Sequence, residues 1–185
     1  AGAIVAQKAF NTLRGANTVS SLDATASGWL VSGWMPGGND FEVPAPFVLA
    51  LDANLDPSWG IVVPEHAVMP PDFRLAAVRP TPDGGCIVAG FIPVPRDDSG
   101  VVASKLDAAG AISWQRRYRG SAAATAAALA VTPDSGAVPV GASGGDALAM
   151  RIDGAGSTGS CGTSMDVLLR MSALDVTTWD TNVVV

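Results

Sequence analysis

Short apolar runs, each entered through a turn and closed by glycine or aspartate, recur along the chain at regular spacing. The clearest is Cys86-Ile87-Val88-Ala89-Gly90, entered through Thr81-Pro82-Asp83-Gly84-Gly85. Pro82 presets φ, Asp83 can bond its own backbone, and glycines accept positive φ. The stretch therefore predicts a tight turn feeding a buried strand that stops at Gly90. The pattern returns at Thr132-Pro133-Asp134-Ser135-Gly136, followed by a run to Gly141, and in worn form from Ser27 to Gly33. A second landmark is an apolar run ending in aspartate, at Asp52, Asp107 and Asp153. Trp59 and Trp114 each follow their aspartate by seven residues, whereas the third repeat has Ser160-Cys161 there. Asn54, Gly110 and Gly156 lie just after the aspartates and read as hairpin turns.

These landmarks define an internal repeat. The segment from Ala3 to Phe10 resembles the segment from Ala111 to Tyr118 at an offset of 108, and the same offset superposes Gly28 on Gly136 and Gly33 on Gly141. The turn glycines are spaced by 57 and then 51 residues. Each unit has room for four short strands. The first precedes the turn, as at 75–79 or 127–132. The second ends at Gly33, Gly90 or Gly141, the third at Asp52, Asp107 or Asp153, and the fourth begins near the tryptophan, as at 112–118. Four strands at a period near 50 predict an all-β fold of four-stranded antiparallel β-propeller blades. About three units occupy residues 1–161 (1–59, 60–114 and 115–161), an incomplete ring, followed by a C-terminal β tail at 162–185. Residues 121–130 score as helix on alanine content, but the repeat assigns them to a loop and a first strand. Variable loops fall at 35–46, 91–99 and 142–145. A proline-rich insert spans 61–73. Segments 167–169, 177–179 and 182–185 are strand-like, the tail reads as one or two extra strands outside the repeats, and its exposed apolar end at 183–185 would pair with another chain or with further sequence.

Composition narrows the classes. The chain has 185 residues, enough for a sizeable core. Eleven Lys and Arg against seventeen Asp and Glu give a net charge of −6, which argues against nucleic acid as a partner. Mean hydropathy is +0.32, yet no run reaches the roughly 18 apolar residues of a membrane helix. Few charges on an apolar surface favour association with protein. Cys86 and Cys161 fall in no metal or redox spacing and read as inert buried thiols, a disulfide being the alternative. No signal peptide is visible, and the start at Ala1-Gly2-Ala3 fits either a cleavage site or the middle of a longer protein.

The segments Pro82 to Gly90, Lys105-Leu106-Asp107 and Gly110 to Tyr118, with Cys161 and the Thr/Val/Asp-rich end 175–185, resemble the bacterial secreted β-propeller repeats known as delta-60 or WD40-like repeats. The resemblance covers roughly residues 3–161, best in the second repeat. It implies an extracellular or cell-surface scaffold, and that family has no shared catalytic residues to carry over. Three units fall short of the four to eight blades of a closed propeller. The expected partners are therefore further copies of the chain, as a homo-oligomer, or the remainder of a longer chain.

Candidate chemistry is sparse. His66, the only histidine, sits beside Glu65 in the insert, with no second metal-ligand spacing and no nucleophile elbow. Asp52, Asp107 and Asp153 read either as a carboxylate ring for calcium or as Asx turns serving each repeat, and recurrence favours the second. Trp59 and Trp114 read as core side chains locking unit to unit. Arg116, Arg117 and Arg119 around Tyr118 read as one polar face of an outer strand rather than an anion or glycan site. Asp40, Glu42, Asp97 and Asp98 read as loop solvation, weak calcium binding being the minority reading. No catalytic residue and no cofactor is expected. The leading expectation is a non-catalytic structural or assembly subunit of a filament or cell-surface layer. The alternatives are a carbohydrate- or peptide-binding propeller using the 35–46 and 91–99 loops, and a piece of a larger hydrolase or quinoprotein propeller.

Overall fold

The computed structural model describes residues 6–12, 17–35, 45–62, 73–92, 100–119, 123–159, 163–166, 172–174 and 176–180. Among these there is no helix; every regular element is a β-strand. In chain order, β1 (Lys8–Thr12) precedes β2 (Thr18–Ala24), β3 (Gly28–Met35), β4 (Ala45–Asp52) and β5 (Pro57–Val62). The second repeat supplies β6 (Arg74–Pro80), β7 (Cys86–Ile92), β8 (Gly100–Leu106) and β9 (Ile112–Arg119). The third supplies β10 (Ala124–Val131), β11 (Ala137–Ser143) and β12 (Asp146–Ala149). The tail adds β13 (Thr163–Asp166), β14 (Ser172–Ala173) and β15 (Val176–Asp180). Antiparallel pairing gives the orders β14-β5-β4-β3-β2, β13-β9-β8-β7-β6, β10-β11-β12 and β1-β15. No sheet closes on itself.

The three large sheets repeat in register. Gly33, Gly90 and Gly141 pair with Phe47, Val102 and Leu148 on one side, and with Val19, Leu75 and Ala126 on the other. A β-bulge follows each of the latter three pairs. The glycines do not end their strands, which run on to Met35, Ile92 and Ser143. They are glycine because the bulge presses a neighbouring carbonyl onto them: a Cβ would lie 1.9 Å from the Thr18 oxygen, 2.3 Å from that of Arg74 and 1.9 Å from that of Thr125. A second set, Gly28, Gly85 and Gly136, meets the carbonyls of Leu51, Leu106 and Ile152 at 2.0, 2.2 and 2.3 Å in the same sense. Of the two glycines at 84 and 85 only Gly84 takes positive φ, at 84°.

Apolar faces pack sheet against sheet. Leu30, Val48 and Ala50 of the first sheet meet Leu75, Cys86, Val88, Val102 and Leu106 of the second. Beyond it, Ala77, Ile87, Ala89, Val101 and Ala103 of the second sheet meet Leu129, Ala137, Ala124, Ala126 and Ile152 of the third. This explains why the alanine-rich stretch is strand β10: Ala124, Ala126 and Leu129 are buried against the second sheet, and tertiary packing overrides weak helix propensity. The opposite face of the first sheet buries Val31, Met35, Phe47, Leu49 and Leu51, against which Phe10, Leu174 and Val176 pack.

The tail supplies three described strands where the sequence led to one or two, and its apolar end at 183–185 lies outside the described residues. Its described strands pair within this chain, on the outer edges of β9, β5 and β1 in turn. Asp166, Ala173 and Asp180, seven residues apart, sit opposite Arg116, Ile61 and Lys8, which are equivalent positions of the repeat. The tail thus adds one strand to each of three successive sheets and protects their edges. The expected strands at 167–169 and 182–185 lie outside the described residues; 177–179 falls within β15. Deleting residues 163–185 removes the pairing partner of β1 and the cover given by Leu174 and Val176. Hydrogen exchange will then show β1 amides losing protection before those of β7 and β8; unchanged β1 protection would contradict this placement.

Candidate functional site

Three features recur along the repeats. The first is the turn after each aspartate. Asp52 Oδ1 accepts from the amides of Asn54 and Asp56, both at 2.8 Å. Asp107 Oδ1 accepts from Ala109 and Ala111 at 2.9 Å, and Asp153 Oδ1 from Ala155 at 3.0 Å and Ser157 at 2.7 Å. One carboxylate oxygen therefore organises each hairpin turn. Among the described residues no three of His, Cys, Asp and Glu gather as a metal-binding group. The left-handed position of these turns is Leu55, Gly110 or Gly156, with φ of 65°, 81° and 80°. Asn54 is thus not the equivalent of Gly110; Leu55 is, carrying a side chain where the other repeats carry none.

The second feature is an indole. Trp59 Nε1 donates to the Ala108 carbonyl at 3.0 Å, and Trp114 Nε1 to the Gly154 carbonyl at 2.9 Å. Each ring lies so close to the next turn that a Cβ on Gly110 or Gly156 would sit 2.8 or 2.9 Å from it. Each tryptophan thus locks its own repeat to the turn of the next one. Tyr118 reinforces the second junction: its hydroxyl donates to the Gly156 carbonyl at 2.8 Å, and burial raises its pKa above the ordinary phenol value.

The third feature is a charge pair beside the entry turn. Lys105 donates to Asp83, and Arg151 meets Asp134 at 2.8 Å, at equivalent positions. In the first repeat both places are alanine, Ala26 and Ala50. The Lys105 hydrogen bond, then the Thr81 hydroxyl at 2.6 Å, lower the Asp83 pKa from 3.8 to about 2. Asp134 is lowered by Thr132 and then Arg151. A depressed carboxyl pKa supplies stability that is complete above the unfolded value and lost as pH falls through the folded one. Lys105→Met should therefore cost most above pH 4, with the gap to the parent closing between about pH 4 and 2. The Asp83 side chain is 48 % exposed, so screening holds the effect to about 1 kcal/mol or less. A gap that widens on acidification would refute the pairing. Sequence reading missed both charge pairs and the Tyr118 bond; comparing equivalent positions for complementary charges would have found the former.

The entry turns of all three repeats converge. Ala24, Thr25, Ala26, Pro80, Thr81, Pro82, Val131, Thr132 and Pro133 line one open depression of about 530 Å³. Strands β2 and β6 are tied by Arg79, which bonds Ser21 Oγ at 3.1 Å and lies 3.5 Å from Asp23. No lining side chain ionises near neutral pH, so the depression itself offers no general acid or base.

The remaining candidates scatter. Arg117 is buried, at 9 % exposure, rather than displayed on an outer face. Cys86 is a free thiol at 0 % exposure, and burial pushes its pKa up to about 12, which suppresses thiolate chemistry. Cys161, His66, Glu65, Asp40, Glu42, Asp97 and Asp98 lie outside the described residues, as do most of the 35–46 and 91–99 loops. No helix among the described residues is long and apolar enough to cross a membrane. No protein-family model matches the chain, and no curated protein matches it.

Proposed function

We propose that the chain is a non-catalytic β-propeller module of the delta-60 or WD40-like type, acting as a structural or assembly subunit outside the cell or at its surface. Each β2–β5-like unit serves as one blade in this reading. One observation carries it: the third sheet bears an exposed apolar face. Val140 is 39 % exposed and Ala128, Ala147 and Ala149 are exposed. Their counterparts Ala89, Ala77, Val101 and Ala103 in the second repeat are 0–4 % exposed, beneath the third sheet. A surface of that kind stays in water only at a cost, and a repeat series normally covers it. Light scattering on the purified chain tests the reading. Particles larger than the 18.6 kDa chain support an assembly subunit; a well-behaved monomer at high concentration would count against it.

A further inference from the structure

The third sheet and strand β1 carry complementary parts of one repeat unit. The third sheet has three strands, β10-β11-β12, where the others have four from their own repeat. Among the described residues β12 pairs with β11 on one edge and with no strand on the other. The strand β1 is the counterpart of a fourth strand, and among the described residues it pairs with β15 on one edge and with no strand on the other. It carries the repeat signature of β9 at the 108-residue offset, with Lys8 matching Arg116 and Phe10 matching Tyr118. Its neighbours match too. β15 pairs with β1 in the same relative register as β13 with β9. Phe10 packs on the first sheet as Tyr118 packs on the third. The tryptophan-and-glycine pairs of the later junctions, Trp59 with Gly110 and Trp114 with Gly156, become Ala6 and Leu55 here, bulk on the strand traded for bulk on the turn.

The faces agree as well. Val19 and Leu22 of β2 are both 60 % exposed. Register makes them the equivalents of Leu75 and Val78, and of Ala126 and Leu129, all of which are buried against the preceding sheet. The first repeat therefore presents a receiving face that is uncovered over β2, while β1 and the tail cover it over β3 and β4. The third repeat presents the unfilled donating face of Ala128, Val138, Val140, Ala147 and Ala149.

We infer that a second copy of this chain fills both vacancies: the β10-β11-β12 sheet of one copy pairs through β12 with β1 of the next, forming a composite four-stranded sheet across the interface. This rests on the assembly reading above and specifies its joint. The β8–β9 register, carried over, places Leu148 opposite Ala9 and Ala149 opposite Lys8. The contact is head-to-tail, so it generates a ring if the rotation closes and a filament if it does not.

A mixing experiment tests this. Val140→Asp spoils only the donating face, and Leu22→Asp only the receiving face; both side chains are exposed in the single chain, so both variants should keep the parent's β-sheet circular dichroism. Native mass spectrometry should find the parent associated and each variant alone at 18.6 kDa. An equimolar mixture should give heterodimers of about twice that mass and nothing larger, because each such pair retains one intact joint. A disulfide forming between Ala9→Cys in one copy and Leu148→Cys in another, located by peptide mapping, would support the register. A monomeric parent overturns both this inference and the assembly reading. A parent that associates while either single variant still does, or while the mixture stays monomeric, overturns the composite sheet and leaves assembly standing.

Discussion

Gly90→Ala will lower stability by about 3 kcal/mol, although it adds a single methyl group. The new Cβ would lie 2.3 Å from the Arg74 carbonyl oxygen and 2.7 Å from two ring atoms of Phe73. Neither neighbour can yield cheaply. The carbonyl belongs to the strand at the β6–β7 bulge, and Phe73 is buried in the core between the first and second sheets. Relief requires the bulge to open, which disturbs the ladder. Gly145→Ala is the control: φ is +97° there, but a Cβ meets nothing within 4 Å. It should cost only about 1 kcal/mol of backbone strain. Urea denaturation separates the two, with the midpoint falling far more for Gly90→Ala at unchanged slope. Equal losses would mean that φ, not close approach, governs these glycines.

Trp114→Ala should cost about 3–5 kcal/mol and split unfolding into two transitions. The indole packs against both apolar clusters between the second and third sheets, and it bonds the Gly154 carbonyl. Within a single chain, the described residues that pack on the third sheet lie at this junction. Losing the lock should free β10-β11-β12 to unfold ahead of the rest. Hydrogen exchange will show β11 amides exposed under conditions where β7 and β8 remain protected. Trp114→Phe keeps most of the ring and loses the donor, at about 1 kcal/mol for the bond itself. Trp59→Ala should act instead at the first junction, where Trp59 packs on the cluster joining the first and second sheets. A single coincident transition for Trp114→Ala, with a loss below about 1 kcal/mol, would mean the tryptophan is peripheral.

The turns and strands were legible because they are local and repeated. Pro82, Asp83 and the aspartate-led hairpins obey short-range rules, and two appearances of the first and three of the second raised the signal above accident. The role of the glycines was misread for a physical reason: a glycine needed for positive φ and one needed for close approach are the same letter. Gly84 is the first kind and Gly85 the second, and only the Leu106 carbonyl 2.2 Å from a would-be Cβ distinguishes them. Leu55 shows the reverse, a left-handed position that the sequence hides behind a leucine. Tail pairing was illegible because β13, β14 and β15 are short and find partners far back along the chain.

By itself, then, the sequence determined the all-β character, the period, and the identity of the residues that recur, because alternation, turn chemistry and repetition are properties of neighbouring residues. Only the tertiary structure decided which indole meets which turn, that the tail returns along three sheet edges, and that β12 and β1 each keep one edge that pairs with no strand among the described residues. Those facts depend on long-range register and on which faces are left in water, and neither is written in any local stretch of the chain.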